Sequence, residues 1–372
     1  MKVLQLSSEM GWRGGERQVG FLVSHLTAKS VETLVVGRKG SALENFCLNE
    51  NVRFIPLRLR NSIDIGSAIG LKRICEDQSI DLINAQTAIA HSVAVLSSAL
   101  GNKVPIVLTR RVSFQPGSSW FTRWKYNHPS IRRIICVSNK TKEVVAKIVS
   151  DRSKLVTVYS GVDLEQFQTP ESDQLKERYG IPNGVFRIGN AAALTYEKDL
   201  ATFIRTIDRL RKNGYVVHGI ISGKGPLEAE LKSLAASKGL ESTITFTGHV
   251  TDIHNVIYYL DVFMMTSQEE GIGSAILDAY ATGTTVVTTA AGGIPELVVD
   301  GQTGLIAEVG DDETLARHVE GLIVNPGKKQ SLAEAGLNRV KQFSVTITAE
   351  KTLEVYQQVI SEFTQASPDK SR

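Results

Sequence analysis

The 372-residue sequence predicts an α/β protein built from two doubly wound, Rossmann-like domains. Short Val/Ile/Leu runs alternate with helical patterns, as the buried strands of a parallel sheet do between their crossover helices. The alternation stops at a polar stretch, Gln166 to Gly184, that holds Pro170 and Pro182, and then starts again. The length also exceeds what a single core usually organises.

In order, the first half gives strands at Lys2–Ser7, Thr33–Gly37, Arg53–Leu57, Asp81–Ala85, Ile106–Thr109, Ile134–Ser138 and Leu155–Val158. Helices are expected at Gly15–Ala28, Ser67–Gln78, His91–Leu100 and Thr141–Ile148. The second half gives strands at Val185–Ala191, Val216–Ser222, Ile244–Thr247, Val262–Thr266 and Thr285–Thr288. Its helices are expected at Asp199–Asn213, Pro226–Gly239, Ser274–Thr282 and Asp311–Val324. The domains are therefore placed at 1–168 and 185–344. A last helix, Val345 to Phe363, is expected before a frayed tail from Thr364.

Cys47, Cys75 and Cys136 are three, widely spaced and set in apolar patterns, which suits buried free thiols in a reducing cytosol. No 18-residue apolar run occurs, and the N-terminal apolar stretch is too short for a signal-peptide core. The expected location is cytoplasmic, with peripheral attachment to the inner face of the membrane as a further option. Charge is uneven: residues 1–165 hold 23 Lys and Arg against 13 Asp and Glu, and the remainder holds 19 against 26. A basic half suits an anionic lipid surface or an anionic acceptor. No zinc spacing, RNP-type aromatic motif or helix-turn-helix supports nucleic acid.

The stretch Met265 to Leu297 is the most informative. Glu269 and Glu270 follow the apolar strand, Gly271 and Gly273 bring bare backbone to a helix start, and Gly292-Gly293-Ile294-Pro295-Glu296 follows the next strand. Ligands of parallel sheets sit beyond the strands' carboxyl ends, where a helix N-terminus offers amides to an anion. Glu270 and Asp278 are eight apart, which would put them on one helix face, suited to sugar hydroxyls beside a phosphate. An ordinary βα turn with a solvated carboxylate is the plainer alternative.

The run Glu270-Gly271-Ile272-Gly273-Ser274-Ala275-Ile276-Leu277-Asp278 resembles the signature of the retaining glycosyltransferases of family 4 (glycosyl transferases group 1). Ile272 stands where that family usually has an aromatic residue, and Asp278 where it has a second Glu. The resemblance covers nearly the whole chain. It implies the GT-B fold, two Rossmann-like domains facing a deep cleft, with the final helix packing back on the first domain. It also implies a nucleotide-diphosphate sugar as donor substrate and no cofactor. Glu270 would bind the donor sugar, Gly271, Ile272, Gly273, Ser274 and Ala275 would meet sugar and phosphate, and Asp278 would hold the ribose.

Ala193-Leu194-Thr195-Tyr196-Glu197-Lys198 resembles the family's pyrophosphate segment, with Lys198 matching its Lys and Ala193 standing where its Arg belongs. Lys224, in Gly223-Lys224-Gly225, either substitutes for that missing cation or is a solvated loop lysine. Gly14 and Gly15, in Gly11-Trp12-Arg13-Gly14-Gly15-Glu16-Arg17, fit a donor or acceptor loop at a helix start. They lack the spacing of a dinucleotide fingerprint. Asn84, Gln86 and Arg111 stand where the family often has His, and Arg111 suits a phosphate or carboxylate but not a base. His91 is either an acceptor-side residue or a satisfied helix-start histidine. Asp163, in Gly161-Val162-Asp163 with Phe167, is read as structural. Trp120-Phe121-Thr122-Arg123-Trp124-Lys125-Tyr126 suits a membrane interface through Trp120 and Trp124, or a helix with its aromatics turned inward.

Together these residues suggest a retaining, metal-independent glycosyltransferase with Glu270, Lys198 and Arg111 as its catalytic group. Its acceptor is expected to be a saccharide or lipid-linked saccharide of the cell envelope. A sugar-nucleotide epimerase of the same fold and a catalytically silent nucleotide-sugar binder remain alternatives. A dehydrogenase is disfavoured by the absent fingerprint.

Overall fold

The computed structural model describes residues 1–167 and 177–365. It divides into two compact units, Met1–Gly161 with Val345 onward, and Val162–Ser344. The first division falls between Gly161 and Val162, ahead of the expected linker Gln166 to Gly184, of which residues 168–176 lie outside the described ones.

The first unit holds a wholly parallel sheet of β1 (Lys2–Leu6), β2 (Glu32–Gly37), β3 (Arg53–Pro56), β4 (Leu82–Ala85), β5 (Ile106–Arg110), β6 (Ile131–Cys136) and β7 (Leu155–Thr157). The spatial order is β3-β2-β1-β4-β5-β6-β7. The order reverses between β1 and β4, which opens a crevice at their carboxyl ends. The crossovers are α1 (Gly14–Ala28), α2 (Ala42–Asn49), α3 (Ile65–Asp77), α4 (Ala88–Ala99), α5 (Trp120–Asn127) and α6 (Asn139–Val145). Most start on a hydroxyl or carboxylate that accepts from a first-turn amide: Ser41, Asp64, Thr87, Ser119 and Ser138. The core on one face joins Leu4, Leu6, Ile83, Val93, Ile106 and Ile134, all buried.

The second unit repeats the plan with β8 (Phe186–Ala191), α7 (Leu200–Lys212), β9 (Val217–Ser222), α8 (Glu228–Ser237), β10 (Ile244–Gly248), α9 (Ile253–Tyr259) and β11 (Val262–Met265). Next come α10 (Ser274–Ala281), β12 (Thr285–Thr289), α11 (Ile294–Leu297), β13 (Leu305–Ala307), α12 (Asp312–Val324) and α13 (Pro326–Arg339). The parallel order is β10-β9-β8-β11-β12-β13, with its reversal between β8 and β11.

The last helix, α14 (Val345–Gln365), returns to the first unit and lies against α1. Ala349, Val355, Tyr356 and Val359 join Val3, Leu22, Leu26 and Leu82 in a second apolar layer under the first sheet. The three cysteines are buried and unbridged, and burial pushes the Cys47 and Cys136 thiols up to about 12 and Cys75 up to about 11. Among the described residues, no helix is long and apolar enough to cross a membrane.

Candidate functional site

In the second unit, the loops at the β8/β11 reversal meet through one ion pair. The β8 loop ends in a helical turn, Tyr196–Lys198, and Asp199 then takes a left-handed conformation (φ +41°) and caps α7 through Thr202. Lys198 Nζ lies 2.5 Å from Glu270 Oε1, and both side chains are largely shielded. Ser267 Oγ donates to the same carboxylate oxygen at 2.9 Å. The two loops are tied along their backbones as well. Thr266 Oγ1 donates to the Asp199 carbonyl at 2.9 Å, and the Gln268 amide donates to the Glu197 carbonyl at 2.8 Å. The Gly293 amide donates to the Glu270 carbonyl at 3.1 Å, so the second glycine turn props the first.

Gly273 ends this loop in a left-handed conformation (φ +80°) and caps α10. A side chain there would crowd Ile276 and Ile294 at 3.2 and 3.3 Å. The helix thus begins at Ser274, and Glu270 stands outside it. This corrects the expectation that Glu270 and Asp278 share a helix face, because three residues of turn separate the carboxylate from the first helical residue. Asp278 is buried in the second turn of α10, and Ile272 is buried, leaving backbone as its contribution to the loop. The first-turn amides of α10, from Ser274 and Ala275, have no intrahelical acceptor and carry the positive dipole end.

Gly223 and Gly225 bring the β9 loop against the β8 loop. The Leu194 amide donates to the Lys224 carbonyl at 3.1 Å, and the Gly223 amide to the Gly248 carbonyl at 2.8 Å. A Cβ on Gly223 (φ +145°) would stand 1.8 Å from the Ala192 carbonyl oxygen, and one on Gly225 2.3 Å from that of Leu194. Only glycine fits either place. Lys224 is exposed between them, and Ala193 is half-buried beside them. A cleft of about 860 Å³ lined by Pro182, Phe186, Arg187, Tyr258, Tyr259 and Asp261 lies at the amino ends of β8 and β11. That is the end of the sheet away from these loops, so it takes no part in this site.

In the first unit, a line of polar side chains runs beneath the β1/β4 reversal. Arg111 Nη2 donates to Gln86 Oε1 at 2.8 Å, Gln86 Nε2 to Gln5 Oε1 at 2.7 Å, and Gln5 Nε2 to the Tyr356 hydroxyl at 3.2 Å. Asn84 Nδ2 also donates to that hydroxyl, and Asn84 Oδ1 accepts from Thr109 Oγ1 at 2.9 Å. Tyr356 is fully buried, so α14 anchors the Gln5 and Asn84 end of this line from within the core. Burial pushes the Arg111 guanidinium down to about 10, with Glu16 pulling the other way, so it stays charged at neutral pH. Glu16 is buried, and its desolvation raises its carboxyl above the ordinary range. It also accepts from the Arg13 amide at 3.3 Å. Gly14 and Gly15 form the first turn of α1, with Arg13 at its cap, so bare backbone stands at the helix start itself.

Two acceptor-side expectations need correction. His91 is 1% exposed inside the core, its Nε2 lies 3.1 Å from the Lys125 carbonyl, and its ring meets Tyr126 edge-on. Burial drives it down to about 3, so it is a neutral core residue with no face for an acceptor. The aromatic-basic run folds as α5, with Tyr126 and Lys125 buried and Trp124 half-buried against the core. Trp120 alone of the two tryptophans is exposed, at 77%.

Two family models divide the chain between them: Glycosyltransferase Family 4 matches residues 12–166, and glycosyl transferases group 1 matches residues 171–339. The chain belongs to the family 4 (group 1) glycosyltransferases. Among its curated relatives, the capsular polysaccharide biosynthesis glycosyltransferase CapM of Staphylococcus aureus is 24% identical over 91% of this chain and 93% of its own. The putative glycosyltransferase EpsD of Bacillus subtilis is 28% identical over 53% of this chain, a match that spans about half (52%) of EpsD. The crystal structure of Anabaena Alr3699/HepE in complex with UDP-glucose superposes with a TM-score of 0.85 at 20% identity, covering 96% of this chain and all of that one. That likeness establishes the GT-B fold.

The ties around Glu270 escaped sequence reasoning: the Ser267 and Thr266 contacts, and Thr289 Oγ1 donating to the Ser267 carbonyl at 2.6 Å. Asn84 stands at one of the family's His positions, but its link with Thr109 and Tyr356, and through Tyr356 with Gln5, was not foreseen. Apart from Tyr356, which lies in α14, their only sequence signal is polarity in or just after otherwise apolar strands.

Proposed function

We propose that this glycosyltransferase moves a sugar from a nucleoside-diphosphate sugar held by the second unit, with retention of configuration and without a metal ion. The acceptor is a saccharide or lipid-linked saccharide of the cell envelope, met by the first unit's Arg111 and Gln86. One observation carries the reading: Lys198 and Glu270 meet at the β8/β11 reversal, beside the amino end of α10. A cation, a carboxylate and a helix start suit pyrophosphate and sugar hydroxyls together. The named HepE complex with UDP-glucose and the polysaccharide role in CapM's name support it.

In this mechanism the donor displaces the Lys198–Glu270 contact. Lys198 turns to the pyrophosphate and Glu270 to the sugar hydroxyls. The acceptor hydroxyl attacks the anomeric carbon on the face from which the phosphate leaves. The anomeric C–O bond breaks, and the acceptor proton passes to the departing phosphate oxygen. Lys198 and the α10 amides balance the charge that develops there.

Nucleotide release from UDP-, GDP- and ADP-glucose, with a mixed-saccharide acceptor panel and a chelator present, tests this. Release of one nucleotide that persists with chelator is expected. Nucleotide-sugar binding without release would mark a silent binder, and loss of activity reversed by Mg²⁺ would overturn the metal-free mechanism.

A further inference from the structure

Arg110 and Arg111 are neighbours at the end of β5 but live in opposite electrostatic company. Arg111 has the Glu16 carboxylate near it. Arg110 is 8% exposed; its guanidinium donates to the Phe114 carbonyl at 2.6 Å and the Tyr126 hydroxyl at 3.2 Å, and its Nε has no partner. The second buried cation beside it is Lys125, 9% exposed, whose Nζ donates to Ser92 Oγ at 3.0 Å. That ammonium also lies 6.0 Å from the centres of the Phe121 and Tyr126 rings. Among the described residues, neither cation pairs with a carboxylate.

Burying one unpaired ion costs several kcal/mol, and two of like sign add their repulsion. The groups facing this place respond accordingly. Lys125 is lowered by its own burial and then by Arg110, and His91 by burial and then by Lys125 and Arg110. Neutral hydroxyls and a carbonyl satisfy hydrogen bonds but leave the net charge unbalanced. The cover is thin: Phe114 is half-exposed, and its ring lies 4.9 Å from the Arg110 guanidinium carbon.

We propose that Arg110, covered by Phe114, and its neighbour Lys125 form an anion site that takes a phosphate or pyrophosphate group carried by the acceptor. This rests on the glycosyltransferase reading and narrows its acceptor to a phosphorylated one. The anion replaces the Phe114 carbonyl and the Ser92 hydroxyl as partner of the two cations, and Phe114 swings aside to admit it.

The test is hydrogen–deuterium exchange of the full chain with inorganic pyrophosphate, and with phosphatidylcholine vesicles with and without phosphatidic acid. Pyrophosphate should protect peptides spanning 110–127. Arg110→Gln and Lys125→Met should each weaken that protection's apparent Kd by about ten- to a hundredfold, the loss of one charge-assisted contact. Lys125→Met removes a buried charge, so its unliganded Tm should hold or rise, which separates a binding role from a structural one. Protection by both probes marks a phosphate read alike in solution and on a surface, and protection only by acidic vesicles marks a lipid-borne one. No protection at 110–127 with either probe, or protection that survives in both variants, overturns the proposal. The nucleoside diphosphate released in the activity panel should protect residues 270–278 in all variants. Failure there, with 110–127 still protected, would remove the donor reading and leave the anion site.

Discussion

Gly223→Ala puts the geometry of the proposed donor site to a quantitative test. The added Cβ would stand 1.8 Å from the Ala192 carbonyl oxygen, and real contacts of this kind are essentially never under 3.0 Å. One backbone must therefore retreat by at least about 1.2 Å, the difference between those two distances. The neighbour is main chain, so no rotamer change relieves it. The φ of +145° also lies where only glycine is comfortable, at a further cost of about 1–3 kcal/mol. Misplacing a binding loop by about 1 Å can lower turnover by about a hundredfold. Gly310→Ala serves as the control, since Gly310 has φ +81° but nothing within 4 Å of its Cβ position, so it reports backbone strain alone. Initial-rate kcat/KM for nucleotide release, with urea unfolding of each variant, gives both quantities. Gly223→Ala should lose about a hundredfold in kcat/KM and more stability than Gly310→Ala. Equal stability losses and unchanged kcat/KM would refute the claim that the β8 and β9 loops must touch.

Lys198→Ala should lower turnover by about 10²- to 10³-fold, as expected for removing one charge-stabilising donor, and Lys224→Ala by much less. The reverse order would move the pyrophosphate site to the β9 loop. Tyr356→Phe leaves the Gln5 and Asn84 amides facing a missing acceptor, at about 1–3 kcal/mol each in urea unfolding. A loss under about 0.5 kcal/mol would show that the line of polar side chains anchors nothing. His91 is held down to about 3 from an ordinary 6.5, so the unfolded chain takes up its proton first as pH falls. Its stabilising share is complete above about 6.5 and fades as pH falls from there towards 3. Between about pH 7 and about pH 4.5, wild type should lose about 2–3 kcal/mol more than His91→Gln, and parallel losses would contradict its neutral burial.

The strands were legible because a sheet covered on both faces needs unbroken apolar runs, and those survive in a single sequence. Of the missed elements, α2 carries a Ser41-x-x-Glu44 start, and α13 begins on Asn325-Pro326. Both are start signals in the sequence; α2 spans only eight residues, too few to show a clear helical period, and in α13 the polarity of the residues that follow outweighs the signal. The three-residue β13 is too short to show a period. Glu270, Lys198 and the glycine turns were visible as local patterns, but the contact between Glu270 and Lys198 joins residues 72 apart. The link from Gln5 to Tyr356 spans 351 residues, and no periodicity encodes it. His91 misled because an apolar helix buried almost all round gives no sign of which face a histidine takes.

In the proposed mechanism Glu270 holds the donor's sugar and not its phosphates. Glu270→Gln keeps the shape and the Ser267 contact but removes the charge that pairs with Lys198. Sugar transfer and nucleoside-diphosphate affinity should be measured on the same preparation. Transfer should fall by at least about a hundredfold while nucleoside-diphosphate affinity is kept or strengthened, because Lys198 is released to the pyrophosphate. Near-normal transfer, or a matching loss of nucleotide affinity, would contradict it.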